Sequence, residues 1–328
     1  MKKFLTLAFA AVATMQLSAQ SLKLNDLEYF EDKGVNVLVF SNKYDGGFCD
    51  EKLAGIEIIQ RGERLSTGGG IRLMNTPEQW DIFADLTNRV VNREQNYIEV
   101  ELTYKDYDFV SKIRVTPKDK GALMQVFIDK PVPEKLVGKA GMNLEFFPAS
   151  FFGKNYLCDG LARILPKYPM HDTEVRPVSE KIPQYYGEST FDDRGRGEFL
   201  VPLALSTGKR IVLAPEDDKL CVSITSDEDV SLYDGRLLAQ NGTFVVRSLL
   251  PAGKTGKVLE WFVEPKGDPN WIRKPNIGFS QIGYTPAQKK VSVVELDKND
   301  KVPATAKILR VDPDGNKNVV AAPAVVNW

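Results

Sequence analysis

Short runs rich in β-branched and aromatic residues recur along this chain about every ten residues, separated by clusters of Gly, Pro, Asp and Asn. This spacing is typical of antiparallel sheets. In YIEVELTY (97–104), Ile98, Val100 and Leu102 alternate with polar residues, which predicts a strand with one buried face. Such a face must pack on a second layer. The recurrence therefore predicts an all-β fold, a large antiparallel β-sandwich.

The predicted strands fall into two groups on either side of a looser middle. They are 36–44, 55–60, 97–104, 109–117 and 122–130, then 199–206, 209–215, 220–226, 230–235, 243–251 and 257–265. Helix signals occur at 74–90, where Thr76 precedes Pro77 as a candidate cap. Between about Phe151 and Gly197 the pattern weakens, which predicts a long irregular segment, either a functional surface loop or a mobile one.

Charge and the first residues suggest where the protein works. Lys and Arg total 43 against 44 Asp and Glu, so no basic excess favours nucleic acid as a partner. Residues 1–20, MKKFLTLAFAAVATMQLSAQ, have two lysines, a short apolar run and small residues at the end. This is the pattern of a secretory signal peptide, and the run is too short for a membrane span. We expect a secreted or periplasmic protein without a membrane span.

Cysteine and histidine are scarce. Cys49, Cys158 and Cys221 are too few and too far apart for a disulfide framework; three cysteines can form at most one disulfide, and buried thiols are the expected state. His171 is the single histidine, which leaves the common zinc patterns without ligands. No phosphate-loop motif accompanies the TGGG at 67–70. We expect neither a metal nor a cofactor.

A domain boundary is predicted at KGDPNWIRKPNIG (266–278), which has the Pro and Gly content of a linker. The resulting division is a signal peptide (1–20), a large β-sandwich accessory domain (21–268), a linker (269–276) and a second small sandwich (277–328). In the last, residues 290–300 and 304–320 read as strands, with Asp314-Gly315 as a hairpin signal. An immunoglobulin-like sandwich needs roughly 100 residues and about fifty remain, so we expect only its first strands.

FSQIGYTPAQKKVSVVE (279–295) resembles the opening of the immunoglobulin-like domain that precedes the catalytic domain in glycoside hydrolase family 9, a cellulase-type family. The matching positions are Gln281, Ile282, Gly283, Tyr284, Pro286, Lys289 or Lys290, Val291, Val293 and Val294. Residues 138–160 and 232–265 resemble the β-rich amino-terminal extension of secreted members of that family.

The resemblance implies that this chain is the front part of a longer enzyme. In the family, an α/α-barrel follows the immunoglobulin-like domain, and inverting hydrolysis of β-1,4-glucan uses carboxylates about 6.5 to 9.5 Å apart. No motif of that catalytic domain occurs before Trp328, so no catalytic residue is assigned. The implied partners are a β-glucan polysaccharide or oligosaccharide, bound through the parent enzyme, and the catalytic domain on which this region would pack.

Other functions remain open on the residues themselves. Tyr185 and Tyr186, with Glu188 close by, are the carbohydrate-contact candidates, because sugar rings stack on exposed aromatic faces. They favour a stand-alone glycan-binding protein as the alternative. Asp192 and Asp193 extend the acidic cluster. An enzyme of mutarotase-like architecture would need a His and a Glu for proton transfer, and His171 leaves that hypothesis short of partners.

Overall fold

The computed structural model describes residues 22–41, 43–46, 49–53, 55–78, 81–169, 172–183, 197–237 and 242–327, with the backbone alone at 43–46 and 49–53. The fold is all-β, as predicted. One antiparallel sheet of sixteen strands dominates the described residues, and four two-stranded sheets accompany it.

The strands before residue 150 are β1 (Lys23–Leu24), β2 (Phe30–Asp32), β3 (Val35–Val39), β4 (Lys43–Gly46), β5 (Cys49–Leu53), β6 (Ile56–Gln60), β7 (Glu63–Arg72), β8 (Asp85–Asn92), β9 (Tyr97–Tyr104), β10 (Phe109–Lys118), β11 (Gly121–Ile128) and β12 (Gly141–Phe146). The later strands are β13 (Asn155–Cys158), β14 (Leu161–Ile164), β15 (Thr173–Pro177), β16 (Glu198–Pro202), β17 (Ser206–Leu213), β18 (Val222–Asp234), β19 (Phe244–Leu249), β20 (Gly256–Pro265), β21 (Asn276–Phe279), β22 (Ser292–Glu295), β23 (Ile308–Val311) and β24 (Lys317–Ala321). The helical pieces are α1 (Pro148–Phe151) and the 3-10 turns η1 (Lys105–Tyr107), η2 (Glu134–Leu136), η3 (Val178–Glu180) and η4 (Gly235–Leu237).

The large sheet folds back on itself to form two facing layers. Its main path is β1-β2-β3-β6-β7-β12-β19-β18-β20-β11-β10-β9-β8, and β17, β13 and β14 branch from β18. Arg89 on β8, the last strand of the path, donates a hydrogen bond of 3.0 Å to the carbonyl oxygen of Val39 on β3. Tyr104 on β9 donates one of 2.8 Å to the carbonyl oxygen of Ile71 on β7. Strands far apart in the path are therefore neighbours across the core.

The core is built from the inward positions of these strands. β9 alternates between buried and partly exposed residues, as its sequence predicted. Trp261 on β20 is fully buried, and its indole N–H donates to Ser248 Oγ at 2.9 Å. Burying one large apolar side chain stabilises the fold by about 1.5–3 kcal/mol. The many side chains that this alternation buries are therefore the main source of stability.

The predicted helix at 74–90 is wrong. Residues 85–92 form β8, which pairs with β9 so that Leu86 lies opposite Leu102 and Val91 opposite Ile98. Pairing with a complete neighbouring strand outweighs the local cap signal at Thr76 and Pro77, because helix propensity is a weak preference that tertiary context overrides.

The predicted irregular segment at 151–197 contains regular structure in its described part. β13 and β14 form a hairpin, and β13 also pairs with β17, which buries Tyr156 and Cys158. β15 pairs with β16. These strands have four or five residues each, too few for the alternation of side chains to stand out among Pro, Gly and charged residues. Cys158 and Cys221 are free thiols.

The carboxyl-terminal residues form two separate hairpins, β21–β22 and β23–β24. Gly315 has a φ of +82° in the turn between β23 and β24, where its N–H donates to the carbonyl oxygen of Asp312 at 2.8 Å. The hairpin signal at Asp314-Gly315 is confirmed, because a positive φ there suits glycine.

Candidate functional site

The residues proposed from the sequence as sugar contacts lie outside the described residues. This holds for Tyr185, Tyr186 and Glu188, and also for His171 and the pair Asp192 and Asp193. Their proposed roles therefore stay predictions. Two other features of the described residues stand out: a buried cluster of charged side chains, and the docked linker with the carboxyl-terminal hairpins that follow it.

The buried cluster is centred on the strands β7, β12 and β19. Register places Gly141 opposite Arg72, and Asn143 opposite Arg247. Asn143 and Glu145 share one face of β12, because side chains two residues apart point the same way. The positions between and beside them, Met142, Leu144 and Phe146, are fully buried. We call Arg72, Asp81, Asn143, Glu145 and Arg247 the arginine–carboxylate cluster.

Arg247 is the most deeply buried charge in the cluster, with 1% of the residue exposed. Its guanidinium donates to Asn143 Oδ1 and to the carbonyl oxygens of Lys139 and Arg72. These acceptors are uncharged. Burial lowers the pKa of Arg247 from 12.5 to about 10, so the side chain stays a cation at neutral pH. A buried cation held by neutral oxygens costs several kcal/mol of desolvation.

Glu145 faces Arg72, with its Oε1 3.6 Å from Arg72 Nε. Burial raises the pKa of Glu145 from 4.5 to about 7, against the lowering effect of Arg72, and Asp81 raises it further. Gly68 lies directly against the carboxylate with a φ of +63°, and a Cβ there would overlap it. The neighbouring backbone therefore requires glycine.

A pocket adjoins the cluster at Arg72. It is small, with a volume of about 10 Å³, and its walls include Arg72, Asp81, Phe83 and Ile182. The Arg72 guanidinium lies 4.1 Å from the centre of the Phe83 ring, the geometry of a cation–π contact. Glu145 is not among the wall residues.

A carboxyl group with a pKa near 7 can give or take a proton at neutral pH. The Glu145 carboxylate, however, lies beneath Gly68 rather than in the pocket wall. Asn143 Nδ2 and Arg247 Nε are buried without hydrogen-bond partners, which destabilises the fold by about 1–3 kcal/mol for each unpaired group. The cluster thus links β7, β12 and β19 but lowers the stability of the fold. Its effect on stability changes with pH, because Glu145 titrates near neutral pH.

Sequence analysis missed this cluster. The signal was available as a charged residue inside an otherwise apolar strand, at Glu145 in GMNLEF and at Arg247 in FVVRSL. Both strands are buried on both faces along almost their whole length, so a charge on either face must find partners inside the protein.

The linker between the sandwich and the carboxyl-terminal hairpins is docked on the sandwich. The side chain of Trp271 lies against the turns at Gly34 and Gly62. The N–H of Asp268 donates to the carbonyl oxygen of Lys33 at 3.2 Å, and Lys298 Nζ lies 3.2 Å from Glu31 Oε1. These contacts hold the first hairpin close to the β2–β3 end of the large sheet.

The two hairpins expose most of their apolar side chains. Ile277 and Phe279 on β21 are 57% and 62% exposed, and Ile282 in the following turn is fully exposed. On the second hairpin, Val311 and Val319 are 61% and 56% exposed. Clustered exposed apolar residues mark interaction surfaces.

A scan of the chain against models of known protein families finds no match, and a search of curated proteins finds no similar sequence. Within the described residues, no group of three or more His, Cys, Asp or Glu side chains could hold a metal ion. The helices of the described part are all too short or too polar to cross a membrane.

Proposed function

We propose that this chain is a non-catalytic accessory region of a secreted glycoside hydrolase of the family 9, cellulase type, whose parent enzyme hydrolyses β-1,4-glucan. The observation that carries the proposal is the pair of carboxyl-terminal hairpins, which expose their apolar side chains while their linker is docked on the sandwich. An isolated hairpin is marginally stable in water. The hairpins thus present a surface that further β-structure would cover.

The family part of the proposal rests on residues 279–295, and their local structure gives the motif a physical role. Gly283 has a φ of +87°. Tyr284 Oη accepts a hydrogen bond from the N–H of Ser280 at 3.1 Å and donates to the carbonyl oxygen of Val291. Lys290 Nζ donates to the carbonyl oxygens of Thr285, Pro286 and Gln288. The Gly, Tyr and Lys of the motif together build the turn that joins β21 to β22.

In this proposal the large sandwich supports its neighbours rather than acting on substrate. The docked linker fixes where the hairpins leave the sandwich, and the hairpins become the first strands of an immunoglobulin-like domain. A catalytic domain that follows would then sit at a defined position relative to the sandwich. The signal-peptide pattern of residues 1–20 supports the same role, because β-1,4-glucan polymers lie outside the cell.

The deciding experiment is to sequence the gene beyond the codon for Trp328. We expect an open frame that supplies the remaining strands of the small sandwich, followed by a helical catalytic domain with paired aspartates. A stop codon directly after Trp328, in intact flanking DNA, would overturn the proposal.

A second experiment tests the non-catalytic assignment. The purified chain is incubated with carboxymethyl cellulose, and reducing ends are measured. We expect no increase over buffer. Release of reducing ends would contradict the assignment. A change in the anomer ratio of a free sugar, followed by polarimetry and lost in His171→Ala, would contradict it too and would favour the mutarotase-like alternative.

A further inference from the structure

The outer face of β9, β10, β11 and β20 carries an apolar band that crosses the strands. Register aligns Thr116 with Leu123 and Leu123 with Phe262, and Tyr97 lies one residue beyond the pair Ile98–Val115. We call Tyr97, Thr116, Leu123 and Phe262 the apolar band. All four are partly exposed, whereas most of the residues next to them along each strand are buried in the core. With strands about 4.8 Å apart, the band is roughly 14 Å long.

A row of hydrogen-bonding side chains runs beside the band. Glu99, Arg114, Gln125 and Glu260 lie opposite one another on the same four strands, and we call them the polar row. Arg114 Nε and Nη2 donate to Glu99 Oε2 at 2.8 and 2.7 Å. Gln125 Nε2 donates to Glu260 Oε2 at 2.7 Å. On the other side of the band, Lys118 Nζ lies 5.9 Å from the centre of the Phe262 ring.

The side chains of this face hold one another in place. The Arg114 guanidinium lies 4.4 Å from the centre of the Tyr97 ring and 5.3 Å from that of Phe127. Glu99 fixes the same guanidinium from the neighbouring strand. A surface whose side chains are already ordered loses little conformational entropy when it binds.

Each carboxylate of the polar row is paired with a cation, either within the row or directly beside it. Glu99 is paired with Arg114, and Glu260 with Lys257 at 2.8 Å. Hydrogen bonds from Lys257 and Gln125 lower the pKa of Glu260, so it is ionised at neutral pH. Acidic side chains in the row disfavour a polyanion, and charged residues at its centre are unusual for the core of a protein interface.

We propose that this outer face binds an extended, uncharged glycan chain. Sugar rings would lay their C–H faces on Tyr97 and Phe262, since the face of an aromatic ring carries partial negative charge. Their hydroxyl groups would exchange hydrogen bonds with the polar row on one side and Lys118 on the other. The length of the band fits an oligosaccharide better than a single sugar. That the glycan is a β-1,4-glucan rests on the proposed function.

The test is calorimetric titration of the purified full chain with cellohexaose, with Phe262→Ala and Tyr97→Ala as variants. We expect each to weaken binding about tenfold or more, because each removes one stacking ring. Tyr168→Ala is the matched control, since Tyr168 is 65% exposed and lies after β14, outside the four strands of this face. Cooperative thermal unfolding verifies that each variant is folded. Gln125→Ala tests the polar row if a ring variant does not fold.

Three outcomes would overturn the inference. The first is no binding of cellohexaose by the wild-type chain at millimolar concentration. The second is equal loss in Tyr168→Ala and Phe262→Ala. The third is loss in Tyr185→Ala or Tyr186→Ala with full binding in Phe262→Ala, which would move the sugar contact to the tyrosine pair named from the sequence.

The outcomes also separate this inference from the proposed function. A reading frame that continues into a catalytic domain, together with no cellohexaose binding, contradicts the binding face alone. A stop codon after Trp328, together with binding that depends on Phe262, contradicts the accessory role and leaves the binding face standing.

Discussion

Glu145 couples the stability of the fold to pH. Burial raises its pKa from 4.5 to about 7, so between these values the folded protein holds a proton that the unfolded chain has released. The contribution to the free energy of unfolding is therefore fully present below about pH 4.5 and is lost as the pH rises through about 7. Since one pKa unit corresponds to about 1.4 kcal/mol, the loss is at most roughly 3.5 kcal/mol.

Glu145→Gln should remove this pH dependence, because glutamine resembles the protonated carboxyl group at every pH. Urea unfolding at pH 5 and pH 8 measures it. We expect the fall in unfolding free energy between the two values to shrink by about 1–3 kcal/mol relative to wild type. Glu134→Gln, at an exposed position on η2, is the control and should leave the fall unchanged. An undiminished fall in Glu145→Gln would contradict the burial of this charge.

Gly68 offers a second test of the cluster. Gly68→Ala adds a Cβ that overlaps the Glu145 carboxylate and also strains a φ of +63°. Gly138→Ala is a matched control, because Gly138 has a φ of +74° with nothing within 4 Å of an added Cβ. The control should lose about 1 kcal/mol from backbone strain, and Gly68→Ala about 1–3 kcal/mol more from the overlap. Equal losses, measured by urea unfolding, would show that the carboxylate can move aside.

At the scale of elements, the sequence pattern is clearest in strands with long, regular alternation, although short or wholly buried strands such as β6 and β19 were also predicted. β9, β10 and β11 each have eight or ten residues with one buried face, so the pattern itself reports the environment. β8 was mistaken for a helix because the cap signal at Thr76 and Pro77 precedes it, whereas pairing with the next strand, β9, decides its conformation. The cluster charges Arg72 and Arg247 escaped notice because their partners come from other strands.

The linker is the element whose composition was least informative about its behaviour. Its Pro and Gly content predicted a connection, whereas its contacts show a docked segment held by Trp271. Pro and Gly content indicates only which backbone conformations the linker can adopt. Docking depends on the shape of the turns at Gly34 and Gly62, and these turns belong to another part of the chain.

Trp271→Ala should therefore release the linker without unfolding the sandwich. Replacing a half-buried indole with a methyl group removes about 1–2 kcal/mol of apolar burial. We expect trypsin to cleave after Arg273 several times faster than in wild type, since proteolysis tracks local opening, whereas the bond after Lys274 precedes Pro275 and resists trypsin. Ile272→Ala changes the neighbouring side chain, which is 45% exposed, and should have little effect. Equal cleavage rates in the two variants would show that Trp271 does not hold the linker.

At the scale of the whole molecule, the two parts of the chain differ in how they handle apolar residues. The sandwich buries its own, with Trp261, Phe244 and Ile113 fully inside, whereas the hairpins beyond residue 275 leave theirs in water. Both parts have the same kind of strand sequence, so this difference could not be read from pattern alone. Whether the apolar side chains are buried depends on how many further strands pack over them as a second layer.

The exposed hairpins should bind a dye such as ANS, which reports accessible apolar surface. The double variant Ile277→Thr/Phe279→Ser removes two apolar side chains from β21, whose partner β22 also exposes Val293. Leu161→Thr/Ile164→Ser is the matched control on β14, where the two side chains are 68% and 66% exposed. We expect the β21 variant to lower ANS fluorescence more than the control, because its side chains belong to a larger apolar surface.

Neither double variant should change the free energy of unfolding of the sandwich by more than about 0.5 kcal/mol, since the replaced side chains are mostly exposed. An equal fall in ANS fluorescence in the two variants would show that the hairpins bind no more dye than other exposed apolar side chains do. It would also remove the observation on which the accessory role depends, because hairpins that do not expose a shared apolar surface have no need of further strands.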